Sequence, residues 1–194
     1  MENLRQKVFL KYQLSKDKQN LCQVLDLQAQ NLDGRLSADE TRSEGFVTVQ
    51  HTMESLENIC GSYGHMLAFE QGQLVAYALV MLKTYAHSIP VLEPMFRQIN
   101  RLTYRGESLR DQPYLVMGQI CVDKAHRGSG VFKELYHQMA RHLSPYFSFV
   151  ITEVATRNPR SIRAHQKVGF QTIHQFKDAT DDWQIILWDW QNKK

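Results

Sequence analysis

The chain is 194 residues long, with 43% hydrophobic and 22% charged residues. This composition excludes a disordered chain, a collagen and a disulfide miniprotein, and its length suits one domain, here residues 1–194. Lys plus Arg is 23 and Asp plus Glu is 20, a formal surplus of 23 − 20 = +3, too small by itself to mark a nucleic-acid binder.

From the N-terminus, Val8, Leu10, Tyr12 and Leu14 alternate with Lys7, Phe9, Lys11 and Gln13 at roughly period 2, which predicts a first strand. Lys7 and Lys11 break any apolar run of signal-peptide length, and no later stretch nears the roughly 20 apolar residues of a membrane span. The expectation is a cytoplasmic protein with no membrane or nucleic-acid partner. Leu21, Val24, Leu25 and Leu32 then share a helical face ending near Asp33-Gly34, followed by a polar loop, Arg35–Gly45. Phe46–Val49 is short and apolar, and Thr52–Ile59 is a second helix. Leu67–Phe69 and Leu74–Leu82 flank Gln71-Gly72-Gln73 as a β-hairpin. Pro90–Leu102 is predicted as a helix and Arg105–Pro113 as a loop.

The second half is more regular. Tyr114–Val122 is a largely apolar strand, and Gly118 within it fits either a bulge or simple packing. Val131, Leu135, Met139 and Leu143 recur every four residues as an amphipathic helix. Phe147–Val154 is a buried strand. Pro159–Val168 is a helix with Asn158 as N-cap and Gly169 as the residue beyond its end. Phe170–Phe176 and Trp183–Trp188 complete the sheet. The order β-α-α-β-β-α-β-α-β-α-β-β defines an α/β domain with local parallel pairing in its second half.

Cys22, Cys60 and Cys121 are odd in number and lack CxxC spacing, so reduced thiols are expected rather than a disulfide framework or zinc site. The histidines show no HxxxH or HExxH pairing, so no metal is expected. The chemistry gathers instead at Gln119–Phe132, where a buried strand runs into a basic glycine turn and then a helix. A helix N-terminus offers unpaired N–H groups, and glycines let an anion approach them closely. Gly130 is followed by Val131 rather than Lys, so the turn is not a Walker loop. Lys133 stands where a dinucleotide fingerprint needs a third glycine. Lys124, His126, Arg127 and Lys133 surround the turn, and Arg157, Arg160, Arg163 and Lys167 crowd the segment after the next strand.

Two motifs in this order, Arg127-Gly128-Ser129-Gly130-Val131-Phe132 and Asn158 with His165 and Gly169-Phe170, resemble the GNAT superfamily of N-acetyltransferases. Phe132 stands where that family has a small residue, and His165 where it has tyrosine. The resemblance implies a central mixed, mostly antiparallel twisted sheet flanked by helices, its two central strands parallel and splayed. It implies acetyl-CoA as acyl donor. Backbone groups from Arg127 to Phe132 would hold the pyrophosphate. The strand segment Ile120-Cys121-Val122, with Asn158 and His165, would hold the pantetheine arm. A backbone N–H near Ile120 would face the thioester oxygen. Cys121 alternates with Ile120, so its side chain turns into the core.

Asn158 and His165, seven residues apart, share a helix face. His165 takes the place of the family's proton donor to the leaving thiolate, either as that acid or as a hydrogen-bonding positioner. Glu153 matches the glutamate proposed as base in the ribosomal-protein N-terminal acetyltransferases, and is open to being the base or a structural carboxylate. By the same resemblance the acceptor amine would meet Arg35–His51, Ser88–Arg110 and Lys177–Trp183. Phe46, Tyr77 and Phe96 are candidate walls, and Glu40, Glu44 and Glu70 candidate attractants. A homodimer is compatible with the resemblance. The alternative function is a coenzyme A-binding sensor without turnover.

Overall fold

A computed structural model of the chain describes residues 9–32, 47 and 49–191. Strand β1 (Lys11–Ser15) and helix α1 (Lys18–Gln30) open it. Asp17 caps α1, its carboxylate accepting the N–H groups of Gln19 and Asn20. Helix α2 (Met53–Ile59) starts in a reciprocal box between Thr52 and Ser55. Strands β2 (His65–Glu70) and β3 (Gln73–Leu82) form the hairpin around Gln71-Gly72.

The segment predicted as one helix from Pro90 is broken. Lys83–Ser88 and Pro90–Leu92 are 3₁₀ turns, and helix α3 runs only from Glu93 to Ile99. Pro94 explains the late start, because proline lacks the N–H that any position past the first turn must donate. The chain after it forms a small hairpin, β4 (Thr103–Tyr104) with β5 (Glu107–Ser108), whose second strand falls in the predicted loop Arg105–Pro113 and which Arg105 pins to Asp189 at 2.9 Å. Then follow β6 (Tyr114–Val122), α4 (Val131–Leu143), β7 (Phe149–Ala155), α5 (Pro159–Val168), β8 (Gln171–Lys177) and β9 (Asp182–Asp189).

Seven strands pair in the order β1-β2-β3-β6-β7-β9-β8, all antiparallel except β6 with β7. The side chains of β3 alternate between two apolar layers. Ala76, Ala78 and Val80 face α4 through Leu135, Tyr136 and Met139. Tyr77 and Leu79 face α1 through Leu21 and Val24, and Met81 faces α3. Burying both faces accounts for the near-continuous apolar runs of the central strands. Among the described residues, no helix is long and apolar enough to cross a membrane.

Two irregularities shape the middle of the sheet. Against β3, Ile120 pairs with Ala78 and Met117 with Val80, so three steps on β6 oppose two on β3. The extra residue is a bulge at Gly118-Gln119. On its other edge β6 pairs with β7 only through Tyr114–Phe149, Leu115–Val150 and Val116–Ile151. Past that point the two strands separate. Thr152 donates its hydroxyl to Met117 O at 2.8 Å, at the place where the backbone ladder ends.

Candidate active site

The glycine turn lies at the mouth of the parted strands. Asp123 caps a 3₁₀ turn (Lys124–His126), and its carboxylate accepts the N–H of Ala125. His126 sits between Asp123 at 3.2 Å and Glu70 at 3.1 Å, which ties the turn to the β2–β3 hairpin. Glu70, a candidate attractant for the acceptor, is thus committed to this side; Glu40 and Glu44 lie outside the described residues. Gly130 begins α4 at φ 93° and no side chain caps this helix. A Cβ at Gly128 or Gly130 would meet nothing within 4 Å, so the space over the turn is open.

A cleft of about 480 Å³ runs from this turn to α5. Gly128, Gly130 and Phe132 line it. Ser129 does not, its hydroxyl donating to His126 O at 2.5 Å, and Val131 is buried in the core. Arg127, Lys133, Arg160, Arg163 and Lys167 line the cleft, and among the described residues no carboxylate does. Such a wall favours a ligand carrying several negative charges. Arg127 also has a bracing role, donating to Val122 O at 3.0 Å and to Asn31 Oδ1 at 2.5 Å, so it links the turn to the end of α1. Arg157, grouped with these cations in the sequence, pairs instead with Asp181.

The cleft continues into a throat of about 80 Å³ between the parted strands. Met117–Ile120 form one wall, Thr152–Ala155 the other, and Asn158, Ser161, His165 and Trp183 surround it. Asn158 Oδ1 accepts the N–H of Ser161, so this N-cap also fixes the start of α5 beside the throat. Ile120 and Val122 line the cleft. Cys121 reaches it too, but its thiol is buried in the layer with Tyr77 and Leu79, and that burial pushes its pKa to about 12. A group so hard to ionise is no nucleophile near neutral pH.

Glu153 lies on the throat wall. Its Oε2 is buried without a hydrogen-bond partner. Burial, with a smaller contribution from the charge of Asp178, lifts its pKa to about 8. Asp178 itself, against a partial desolvation that would raise it, is pulled down to about 2 by hydrogen bonds from Thr180 and the Asp181 N–H, so it stays ionised beside Glu153.

His165 lines the throat but is only 1% exposed. Its Nδ1 lies 2.8 Å from Ser161 O, which can only accept, so Nδ1 carries the ring hydrogen. Nε2 therefore accepts from the Tyr136 hydroxyl at 2.7 Å. Phe132, Tyr136 and Phe170 stack edge-on around the ring. Burial lowers its pKa to about 4. Of the two roles open to it, a neutral imidazole with both nitrogens engaged suits the hydrogen-bonding positioner and not the acid. Phe132, the other departure from the motif, packs against that ring.

The three acceptor-side aromatics fare differently. Phe46 lies outside the described residues. Tyr77 is fully buried and donates its hydroxyl to Gln119 Oε1 at 2.6 Å, so it is no pocket wall. Phe96 is core, 5% exposed, and faces a separate cavity of about 350 Å³ with Lys83, Arg97 and Tyr114 that shares no lining residue with the throat.

Tyr77 belongs to a polar network that sequence pattern does not reveal. Gln119 Oε1 also accepts from Gln28 Nε2 at 2.8 Å, and Gln119 Nε2 donates to Val49 O at 2.7 Å. Gln28 bonds His51 twice, donating to Nδ1 at 3.0 Å and accepting its backbone N–H at 2.8 Å. These bonds hold the β6 bulge to α1 and to the chain before α2. Among the described residues, no group of three or more His, Cys, Asp or Glu side chains comes together to hold a metal ion.

A mixed sheet parted between its two parallel strands, with a basic glycine turn at the opening, defines the acetyltransferase class of α/β proteins. Residues 35–170 match the family model described as the Acetyltransferase (GNAT) family, and the chain belongs to that family. Solved structures agree on the fold. The ribosomal-protein-S18-alanine N-acetyltransferase of Escherichia coli is 13% identical with a TM-score of 0.59, covering 93% of this chain and 94% of its own. The structure of yncA from Salmonella typhimurium, solved with its cofactor acetyl-CoA, is 14% identical with a TM-score of 0.58, covering 94% of each chain. A GNAT-family acetyltransferase of Streptococcus pneumoniae is 14% identical with a TM-score of 0.60, covering 93% of this chain and 99% of its own. No curated protein matches the chain significantly.

Proposed function

We propose that this chain is an acetyl-CoA-dependent N-acetyltransferase that passes the acetyl group directly to the amine of a small molecule, an amino acid or a peptide. One observation carries the reading: the basic cleft opens through the parted strands onto a buried, unpartnered Glu153 oxygen. The residues present fit the donor. The open space over Gly128 and Gly130 admits a pyrophosphate to the uncapped N-terminus of α4. The cations on α5 suit its further phosphate. Past Met117, whose carbonyl Thr152 occupies, the edge of β6 toward β7 has no ladder partner among the described residues and leaves backbone groups for the amide-bearing arm.

Acetyl-CoA supplies the activated acyl group and the thiolate leaving group. Glu153 takes the proton that the attacking amine must lose, and its raised pKa makes it a stronger base than an ordinary carboxylate. Asn158 fixes the throat side of α5, and His165 positions that helix as a neutral group. The second reading, a coenzyme A-binding sensor without turnover, draws its support from the sequestered His165.

The test is an amine panel with acetyl-CoA, following thiol release and acetylated product by mass spectrometry. Turnover that Glu153→Gln reduces at least a hundredfold supports the enzyme. Tight acetyl-CoA binding with no release above background across the panel favours the sensor.

A further inference from the structure

We infer that the Ser161 hydroxyl is the group that hydrogen-bonds the coenzyme A sulfur as the thiolate departs, the place that His165 would fill by motif; this rests on the acetyltransferase reading above. His165 is excluded by geometry. Its Nδ1–H is shared between Ser161 O at 2.8 Å and, as the longer branch, Ser161 Oγ at 3.3 Å, its Nε2 lone pair is taken by Tyr136, and the ring is closed in by Phe132 and Phe170. Tyr136 is fully buried and its hydroxyl hydrogen points at His165. Neither group has a hydrogen to give to a ligand in the throat.

Ser161 stands one turn before His165 on the same face of α5. It lines both the cleft and the throat, and among the described residues it is the one hydroxyl that does so. A thioester whose pyrophosphate sits at the glycine turn and whose acetyl group lies in the throat, where Glu153 can serve the attacking amine, must pass this junction. The orientation of the hydroxyl follows from its neighbour. Ser161 Oγ lies 3.3 Å from His165 Nδ1, and since Nδ1 carries the hydrogen, Oγ is the acceptor there. Its own hydrogen is not used in that contact. His165 thereby acts through Ser161 as a positioning residue, and Ser161 N–H is fixed in turn by Asn158 Oδ1 at 3.1 Å.

In the step, the amine nitrogen bonds the acetyl carbon, the carbon–sulfur bond breaks, the amine proton passes to Glu153 and the electron pair leaves on sulfur. A serine hydroxyl is far too weak an acid to hand its proton over. It stabilises the thiolate by a charge-assisted hydrogen bond, and no net proton transfer from Ser161 is needed. Hydrogen bonding to the charged form of a group lowers its pKa.

The test reads the thiol itself, without an acceptor. Coenzyme A is bound to the wild type, to Ser161→Ala and to Ser161→Thr, and its thiol is titrated by the ultraviolet absorbance of the thiolate. The wild type should hold the thiol below its free pKa. Ser161→Ala should raise the bound value by about one unit, tenfold in ionisation, and Ser161→Thr should restore most of that shift. With a turned-over amine, Ser161→Ala should lower kcat about tenfold and leave the KM for acetyl-CoA within twofold. A bound pKa that is the same in wild type and Ser161→Ala overturns the assignment while leaving the acetyltransferase reading intact. Failure of the wild type to bind coenzyme A overturns both.

Discussion

Thr152 donates its hydroxyl to the carbonyl of Met117 at 2.8 Å, and this side-chain bond stands where the next rung of the β6–β7 ladder would be. A side chain reaching across the gap satisfies the carbonyl while keeping the strands apart, so the throat beyond it is a built feature rather than a frayed end. Thr152→Val keeps the shape and removes the bond. Because Thr152 is 4% exposed, the loss should cost about 1–2 kcal/mol. That lowers the melting temperature by about 2–8 °C in a chain of this size, readable by calorimetry. An unchanged melting temperature would mean the gap does not depend on this bond.

Gly130→Asp tests the cradle. The position begins α4 at φ 93°, and the added carboxylate would enter open space over the uncapped helix N-terminus. Acetyl-CoA affinity by calorimetry should fall at least tenfold, from backbone strain and from charge repulsion against the pyrophosphate. Equal affinities would place the phosphate site elsewhere.

Gly169→Ala should destabilise without touching the cleft. Its φ is 123°, and a Cβ would stand 3.0 Å from Trp188 Nε1. We expect a loss of about 1–3 kcal/mol in urea unfolding, with acetyl-CoA affinity little changed in the folded protein.

These glycines were legible in the sequence because their roles are local. A strand, a glycine turn and a helix start suffice to place Gly128 and Gly130, as an N-cap places Asn158 and a helix end places Gly169. Pro94 also carries a local signal for the start of α3, but the apolar run from Pro90 masks it and predicts the helix too early. His165, Tyr77 and Phe96 were not legible in the same way. Each is defined by what a distant element brings to it: Tyr136 from α4, Gln119 from the bulged strand, and Tyr114 with Phe149 from the central sheet. Periodicity puts a side chain on a face but does not say whether that face meets solvent, a ligand or a hydroxyl. The Gln28–His51–Gln119 network has no spacing signature at all, since its members lie on three separate segments.

Glu153 should shape the pH profile of activity. A base must be ionised to accept a proton, so kcat/KM should rise with pH through a midpoint near 8, where Glu153 titrates, and level off above it. Glu153→Gln should remove that limb and lower the rate by about 10²–10⁴-fold. A wild-type limb with its midpoint near 4.5, the ordinary value of a glutamate, would show that the throat does not hold Glu153 as described.

The same group and three buried histidines set an optimum of stability. Glu153 is raised from 4.5 to about 8, so the folded state holds its proton more tightly, and stability falls as pH rises between those values. His51, His65 and His165 are each lowered from 6.5 to about 4. There the unfolded state binds the protons more tightly, so stability rises with pH across that window. From pH 4.5 to 6.5 the histidines outweigh the glutamate, three protons against one, and once the unfolded-state histidines have lost most of their protons, above about pH 7, only the glutamate still changes. Stability from these four groups should therefore peak near pH 7. It should decline toward pH 8 by at most about 1.4 kcal/mol per pH unit and more steeply toward pH 4.5. Urea midpoints across this range measure it. Glu153→Gln should flatten the alkaline side and be more stable than the wild type at pH 8, the reverse of its effect on turnover. If the variant and the wild type decline in parallel above pH 7, Glu153 is not the titrating group.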